Sequence, residues 1–430
     1  MKLNYINGCY NPSFFNMTLD TDERIETAIR NYPETFIHEF IHYLQDLILP
    51  YNIRLNMGLL RQFLNVRRYA VRGREIERPF DHWDDDEKLL RLQFDYTIGN
   101  NRPVDSIVAH VRKMEDAVAV YEEAGGYDEI FTGRERNFRI YTYHIRVNDG
   151  QNVYNLGARD LLEYIAYKIG KKHYPHVKEL PQLPYMSVDL LFGHYGLSRV
   201  PEDVRVCVAE ACLYNDNPIR MLICQFLENE KMRQMLCRSD YKEIYEFFLS
   251  MGFRTTDGVE EAVRHKTYRK LKQFESDLSA GYFYFTGIRN WITEVSDFAK
   301  SELADRFIFS DMYRMSEGEF SRTVSAVISR IGFPLVMNRK KECVMIPSEG
   351  GRSGAPEFVQ FYVMQEFMKY MKGTGQKRCP VYEFCRANWG KSSDGCDCGV
   401  KLKRIDNKDC PYAEFLKAYN LENGLRKSFF

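Results

Sequence analysis

Two histidines with three residues between them, His38 and His42, are the residues of this chain best placed to do chemistry, and Glu39 directly follows the first. On a helix, residues four apart lie on the same face, so both imidazoles can bind one metal ion. Zinc suits this pair because it accepts nitrogen and oxygen ligands in a tetrahedral shell and keeps one position for water. Glu39 would take the proton of that water and pass it to a leaving amine. The motif therefore predicts zinc-assisted hydrolysis of a peptide bond.

The residues around the motif predict a buried helix. Thr35 or Glu34 can begin it after Pro33, and Pro50 ends it. Its apolar surface comprises Phe36, Ile37, Phe40, Ile41, Leu44, Leu47 and Ile48. The strongly polar interruptions are His38, Glu39, His42, Gln45 and Asp46. Buried polar groups need partners, and a metal ion would satisfy both histidines. The alternative interpretation is a chance occurrence of the pattern on a core helix.

The segment His38-Glu39-Phe40-Ile41-His42 resembles the helix that defines the zincin metallopeptidases. The metzincin branch requires glycine at 45 and histidine or aspartate at 48, where this chain has Gln45 and Ile48. The gluzincin branch places a glutamate ligand on a later helix, and the segment 156–166 is similar to that element. The resemblance therefore implies Glu163 as the third zinc ligand, with an insertion between the motif and this helix.

Two other carboxylates compete with Glu163 for this role. Asp160 ends the segment Gly157-Ala158-Arg159-Asp160, which is similar to the Gly-x-x-Asp ligand of the aspzincin branch. Glu210 lies on another apolar helical segment. The alternative interpretation of Glu163 is a salt bridge with Arg159, which precedes it by four residues on the same helix face.

The spacing of apolar residues is mostly helical and predicts an α+β, predominantly helical fold with a zincin-like core, helical additions and a Cys-rich C-terminal segment. We expect the core in residues 1–200 with a helical insertion at about 51–126, a helical domain or extension in 201–375, and the Cys-rich segment in 376–430. Helices are predicted at 22–29, 59–69, 85–94, 104–123, 158–172, 201–214, 218–229, 240–251, 258–278, 290–304 and 316–330. A capping box at Ser316 and Glu319 begins the last of them.

Two strand pairs interrupt this helical pattern. The first spans 138–154 around a turn at Asp149-Gly150, and the second lies around 335–346. The first hairpin could bind an extended peptide by adding it as a further strand. A peptidase also needs a hydrogen-bond donor for the oxyanion. The chemically able residues are Tyr143, His144, His194 and Tyr195, among which the sequence does not select.

Five cysteines near the C-terminus predict a second, structural metal site: Cys379, Cys385, Cys396, Cys398 and Cys410. The segment around them is polar and has little core of its own, so bound zinc could supply folding energy. Free or disulfide-bonded thiols and an iron–sulfur cluster are the alternatives. Basic runs at 377–378 and 401–404 support a different hypothesis for the whole chain. It would be a catalytically inactive zincin-like protein whose Cys-rich tail binds nucleic acid or a protein partner.

Bulk composition favours a folded protein and does not identify a partner. The chain has 430 residues, 44% of them hydrophobic and 28% charged, and 60 basic residues balance 60 acidic ones. No overall positive field therefore draws it to nucleic acid or an anionic membrane. The sequence has no apolar run of membrane-spanning length and no secretory signal pattern at its start, so we expect a cytoplasmic protein acting on peptides or proteins. A different amide or an ester remains an alternative substrate.

Overall fold

The structure, a computed structural model, describes residues 8–72, 76, 79–82, 97–99, 114–128, 134–147, 152–176, 180–254, 260–262, 265–280, 286–303, 306–346, 348, 358–373, 379–389 and 410–421. The fold is α+β and predominantly helical, as the sequence predicts. Within the described ranges, no helix is both long enough and apolar enough to cross a membrane.

Seventeen helices are formed by the described residues. In chain order they are α1 (Ile25–Asn31), α2 (Pro33–Ile48), α3 (Pro50–Val71), α4 (Ala158–His173), α5 (Gln182–Tyr185), α6 (Ser187–His194), α7 (Glu202–Cys212), α8 (Pro218–Arg220), α9 (Glu230–Arg238), α10 (Tyr241–Ser250), α11 (His265–Ala280), α12 (Thr286–Glu302), α13 (Ile308–Arg314), α14 (Glu317–Ile331), α15 (Phe358–Met371), α16 (Tyr382–Trp389) and α17 (Pro411–Ala418). A π-helical segment, Met221–Leu227, continues α8.

The strands form three separate sheets. In chain order they are β1 (Gly8–Asn11), β2 (Asn16–Leu19), β3 (Met114–Asp128), β4 (Arg134–Val147), β5 (Asn152–Leu156), β6 (Gly252–Arg254), β7 (Glu260–Ala262), β8 (Phe333–Met337) and β9 (Cys343–Ile346). The largest sheet has the order β1-β2-β8-β9, in which β2 and β8 are parallel and the outer pairs are antiparallel. Strands β3, β4 and β5 form an antiparallel sheet, and β6 pairs with β7.

The motif helix α2 has ends that its prolines explain. Pro33 occupies the first helical position, where a missing N–H costs no hydrogen bond. At the other end Leu49 is extended, with φ −78° and ψ 128°, because a residue before proline disfavours the helical conformation. A new helix, α3, then begins at Pro50. The break turns the chain directly after the motif.

One face of α2 packs against strand β8. Phe36 stacks on Phe333 with ring centroids 4.9 Å apart, and Phe40 lies against the same ring. Full burial of one such aromatic side chain stabilises a fold by about 1.5–3 kcal/mol. Glu39 is buried within this helix, whereas His38 and His42 remain partly exposed. The sheet therefore holds the motif helix by its apolar face and leaves the imidazoles available.

Most of the predicted elements are present, and two helix predictions are wrong. Residues 114–123, predicted as part of a helix from 104 to 123, belong to strand β3, and 104–113 lie outside the described residues. The helix predicted from 258 begins at His265, because Glu260–Ala262 pair with β6. In both places, pairing with a neighbouring strand overrides an apolar spacing that also fits a helix. The predicted helix at 85–94 lies outside the described residues.

The predicted strand pairs and the predicted capping box are confirmed. Strands β4 and β5 pair antiparallel, as do β8 and β9. At the start of α14, the Ser316 amide donates to the Glu319 carboxylate at 2.9 Å, which is the contact that a capping box requires of Glu319. Local signals of this kind depend on a few neighbouring residues, which explains why the sequence contains enough information to predict them.

Candidate metal centre

The side chains of His38, His42 and Glu163 meet at one point between helices α2 and α4. The Nε2 atoms of the two histidines are 3.2 Å apart, and each lies 3.2 Å from Oε2 of Glu163. Among the described residues, these three form the group of metal-binding side chains whose ligand atoms lie within 4.8 Å of one another. Their side-chain exposed fractions are 16%, 14% and 13%, so water can reach them.

The triangle of ligand atoms has the size that zinc requires. Three ligands bound tetrahedrally at about 2.0–2.1 Å lie about 3.3 Å from one another. The 3.2 Å edges of the triangle match this separation closely. The donor set, two imidazole nitrogens and one carboxylate oxygen, is also one that catalytic zinc sites use. The residues therefore fit a zinc ion that keeps a fourth position for water.

The pKa values of His42 and Glu163 are shifted in the directions that favour positive charge on His42 and negative charge on Glu163. Burial lowers the pKa of His42, but the Glu163 carboxylate outweighs this and brings the pKa to about 9. Burial raises the pKa of Glu163, but His42 and His38 outweigh it and hold that pKa well below its usual range. Glu163 is therefore ionised at neutral pH and is stabilised by a nearby positive charge. Either a protonated His42 or a bound cation can provide that charge.

Gln45 connects the two helices that form the site. Its Nε2 donates to the backbone oxygen of Leu162 on α4, at 3.0 Å, so its Oε1 faces Nδ1 of His42 at 2.8 Å. Because this oxygen can only accept, Nδ1 of His42 carries a hydrogen, and the lone pair of a neutral imidazole lies on Nε2. Gln45 thereby orients His42 with its free nitrogen towards His38 and Glu163.

Replacing Gln45 with leucine is expected to weaken zinc binding by roughly 10- to 100-fold, the usual cost of losing a partner that orients a metal-binding histidine. The substitution leaves His42 without its orienting acceptor. Competition with a chromogenic chelator measures the affinity. Gln234→Leu is the matched control, because Gln234 is exposed on α9 and bonds to Glu230. Equal affinities for the two variants would contradict the role given to Gln45.

Glu39 lies next to the two histidines on α2 and is held by strand β1. Its Oε2 accepts a hydrogen bond from the backbone amide of Tyr10 at 2.7 Å. Burial raises the pKa of Glu39, while the nearby His38 and His42 act to lower it. A carboxylate whose proton affinity is raised in this way is suited to accept a proton from water.

The two rival carboxylates have other partners. Asp160 accepts hydrogen bonds from the Tyr154 hydroxyl at 2.9 Å and the Gly157 amide at 2.8 Å, so it ties the start of α4 to strand β5. Glu210 accepts from the amides of Phe309 and Ser310 at the start of α13. Burial raises the pKa of Asp160 to about 7 and that of Glu210 to about 8. Of the three carboxylates, Glu163 alone lies with the histidines.

The position of Glu163 depends on how α4 is anchored on either side. Arg159 Nε lies 3.5 Å from Oε1 of Glu163, so the predicted salt bridge is present and uses the oxygen that does not face the histidines. Five residues further along α4, Lys168 forms ion pairs with Asp189, at 2.7 Å, and with Glu202. These contacts fix the helix to α6 and α7, so Glu163 is presented by a rigid element.

The predicted donors of an oxyanion hydrogen bond have other partners or fall outside description, whereas Tyr185 lies at the site. The Tyr143 hydroxyl lies 3.2 Å from the Cys224 sulfur, and the Tyr195 hydroxyl bonds to Glu228. His194 is exposed at the end of α6, and the side chain of His144 is not among those described.

Tyr185 lies at the site, with its ring centroid 5.9 Å from that of His38. Burial, Glu163 and Glu39 raise its pKa, so its hydroxyl stays protonated. No motif in the sequence marks Tyr185.

The predicted cysteine site is described in part. Cys396 and Cys398 lie outside the described residues. Cys379 is buried, and Cys385 and Cys410 are partly buried. The sulfur of Cys410 also accepts a hydrogen bond from the Ala413 amide at the start of α17. A structural metal at these cysteines therefore stays a prediction.

Comparisons with known protein-family models, with curated proteins and with solved structures found no match to this chain.

Proposed function

We propose that this protein is a zinc-dependent metallopeptidase, in which Glu39 is the general base and His38, His42 and Glu163 bind the zinc ion. The observation that carries the proposal is the triangle of their ligand atoms, with edges of 3.2 Å. The buried carboxylate of Glu39 lies on the same helix as the two histidines. The resemblance of the motif helix to that of the zincins agrees with this set of residues.

In the proposed hydrolysis of a peptide bond, a bound zinc ion and the side chains around it would have different roles. When bound, zinc supplies a Lewis acid that polarises a carbonyl group and lowers the pKa of water to about 7. Glu39 accepts the proton that the attacking water loses as its oxygen bonds to the carbonyl carbon. Glu39 then gives that proton to the amine nitrogen as the carbon–nitrogen bond breaks. The carboxylate of Glu39 is thereby restored for the next turnover.

Tyr185 is the side chain we assign to the developing negative charge on the carbonyl oxygen. It packs between the ring of His38, at 5.9 Å, and the ring of Tyr167, at 5.7 Å, which limits its movement. A preorganised hydroxyl in a partly buried site costs little reorganisation during reaction.

A peptide-library assay tests the proposed function directly. The protein is stripped of metal with a chelator, and half is reloaded with one equivalent of zinc. Mass spectrometry of the products is expected to show cleaved peptides with the reloaded sample and intact peptides with the stripped sample. Cleavage that is equal in both samples would contradict a zinc mechanism. Absence of cleavage across a diverse library, with zinc bound, would contradict a peptidase.

Replacing Tyr185 with phenylalanine is expected to lower kcat by about 100-fold, the effect of removing one oxyanion donor, and to leave zinc content unchanged. Steady-state kinetics with a peptide identified in the library measures the change. Tyr195→Phe is the matched control, since it removes a hydroxyl that bonds to Glu228. A loss of activity in the control equal to that in Tyr185→Phe would remove Tyr185 from the mechanism.

A further inference from the structure

The edge strand β1 touches Glu39 at two points. The Tyr10 amide donates to Oε2 at 2.7 Å. A Cβ built on Gly8 would lie 2.5 Å from Cγ of Glu39, 2.7 Å from Oε1 and 2.9 Å from Cδ. Real Cβ atoms essentially never approach other heavy atoms this closely. The Glu39 side chain therefore lies against the Cα of Gly8, and a methyl group at this position would fit only if the Glu39 side chain moved.

A larger residue at Gly8 would conflict with the Glu39 side chain and not with the backbone conformation. The φ of Gly8 is outside the left-handed region that favours glycine. The residue is paired with Leu19 in the antiparallel ladder between β1 and β2. An alanine could therefore adopt the same backbone, and the obstacle to it would be the side chain of Glu39.

Hydrogen bonds to Asp46, further along α2 than Glu39, also fix this part of the chain to the motif helix and limit the movement of strand β1. The hydroxyl of Tyr10 donates to Oδ2 of Asp46 at 2.8 Å, and the Ser13 amide donates to the same oxygen at 2.7 Å. Asp46 is fully buried on α2, nearly two turns after Glu39. Tyr10 thus bonds to the motif helix at two levels, through its amide and through its hydroxyl.

We infer that Gly8 and Tyr10 are positioning residues that hold the carboxylate of Glu39 in one orientation, an inference that rests on the proposed function. The amide of Tyr10 binds Oε2, and the flat contact with Gly8 stops the side chain from rotating. A hydrogen bond to an ionised carboxylate is stronger than one between neutral groups, which adds to the restraint.

A stability cycle tests this contact without any assay of activity. The four proteins are the wild type, Gly8→Ala, Glu39→Ala and the double variant, each metal-free, compared by their Tm. We expect Gly8→Ala to lower Tm by roughly 3 °C in the wild type, because the new methyl group overpacks against Glu39. In the Glu39→Ala background the same substitution should change Tm by less than about 1 °C. Gly170→Ala is the control, since a Cβ there meets no atom within 4 Å.

Kinetics then separates a positioning role from a general loss of structure. In Gly8→Ala we expect kcat to fall by about 100-fold, since a misplacement of about 1 Å has that effect. KM and zinc stoichiometry should stay within about twofold of the wild type, because the metal ligands and the substrate contacts remain. A protein damaged as a whole would lose zinc or substrate affinity as well.

The outcomes of the two experiments are distinguishable. Equal Tm losses in the wild-type and Glu39→Ala backgrounds would overturn the inference, as would a fall in zinc content that matches the fall in kcat. If Gly8→Ala alone does not fold, folding of the double variant supports the inference, and failure of both overturns it. Coupling in the stability cycle together with a wild type that cleaves no peptide would keep the contact and reject the peptidase.

Discussion

Replacing Glu39 with glutamine is expected to reduce peptide hydrolysis by about 1,000-fold, within the range that general acid–base catalysis contributes, while zinc remains bound. The amide keeps the size of the side chain and an acceptor oxygen for the Tyr10 amide, which now bonds to Oε2 at 2.7 Å. It cannot accept the proton of the attacking water. Rates at saturating substrate, together with zinc content by elemental analysis, measure both halves of the prediction.

The control for this variant removes the same charge elsewhere. Glu26→Gln changes an exposed side chain on α1 and should hydrolyse peptides like the wild type. Full activity in Glu39→Gln would remove Glu39 from the mechanism. Loss of zinc in the same variant would give Glu39 a structural role in the site instead of a catalytic one.

Replacing His42 with alanine is expected to weaken zinc binding by a few hundredfold. The binding free energy of a structural zinc ion held by four side chains is about 10–16 kcal/mol, so one side chain accounts for about 3 kcal/mol on average. The substitution also takes from Glu163 the imidazole whose charge holds its pKa well below the usual range. Chelator competition measures the affinity, and hydrolysis should fall in proportion to zinc content at limiting metal.

His194→Ala separates a specific loss from a general one. His194 is exposed on α6 and lies apart from the group of three ligands. This variant should bind zinc with the wild-type affinity. An equal weakening in both histidine variants, or unchanged affinity in His42→Ala, would show that zinc binds elsewhere in the chain.

The part of the site that the sequence predicts is the part that lies on one helix. The spacing of His38 and His42 and the position of Glu39 depend on helical geometry alone, and the structure places both imidazoles together. The proximity of Glu163 to them depends on how α2 and α4 pack. No spacing along the chain predicts that packing, and only the resemblance to gluzincins indicated this residue over Asp160 and Glu210. Its role as a ligand stays a prediction.

Other residues of the site could be found only from the fold. Gln45 is visible in the sequence as a polar interruption in an apolar helix, but its bond to the Leu162 oxygen requires the position of α4. Gly8 and Tyr185 carry no local signal in the sequence. Gly8 matters through its contact with Glu39, more than 30 positions away, and Tyr185 through its contact with His38, more than 140 positions away. Likewise, the apolar spacing of residues 114–123 predicts a helix, and these residues form a strand because they pair with β4.

Anomalous diffraction at the zinc edge, from crystals of the zinc-loaded protein, tests whether His38, His42 and Glu163 bind the zinc ion. We expect a peak about 2.0–2.1 Å from Nε2 of His38, Nε2 of His42 and Oε2 of Glu163. Density with no anomalous peak between these atoms, with the imidazoles turned apart or bonded to other groups, would contradict it.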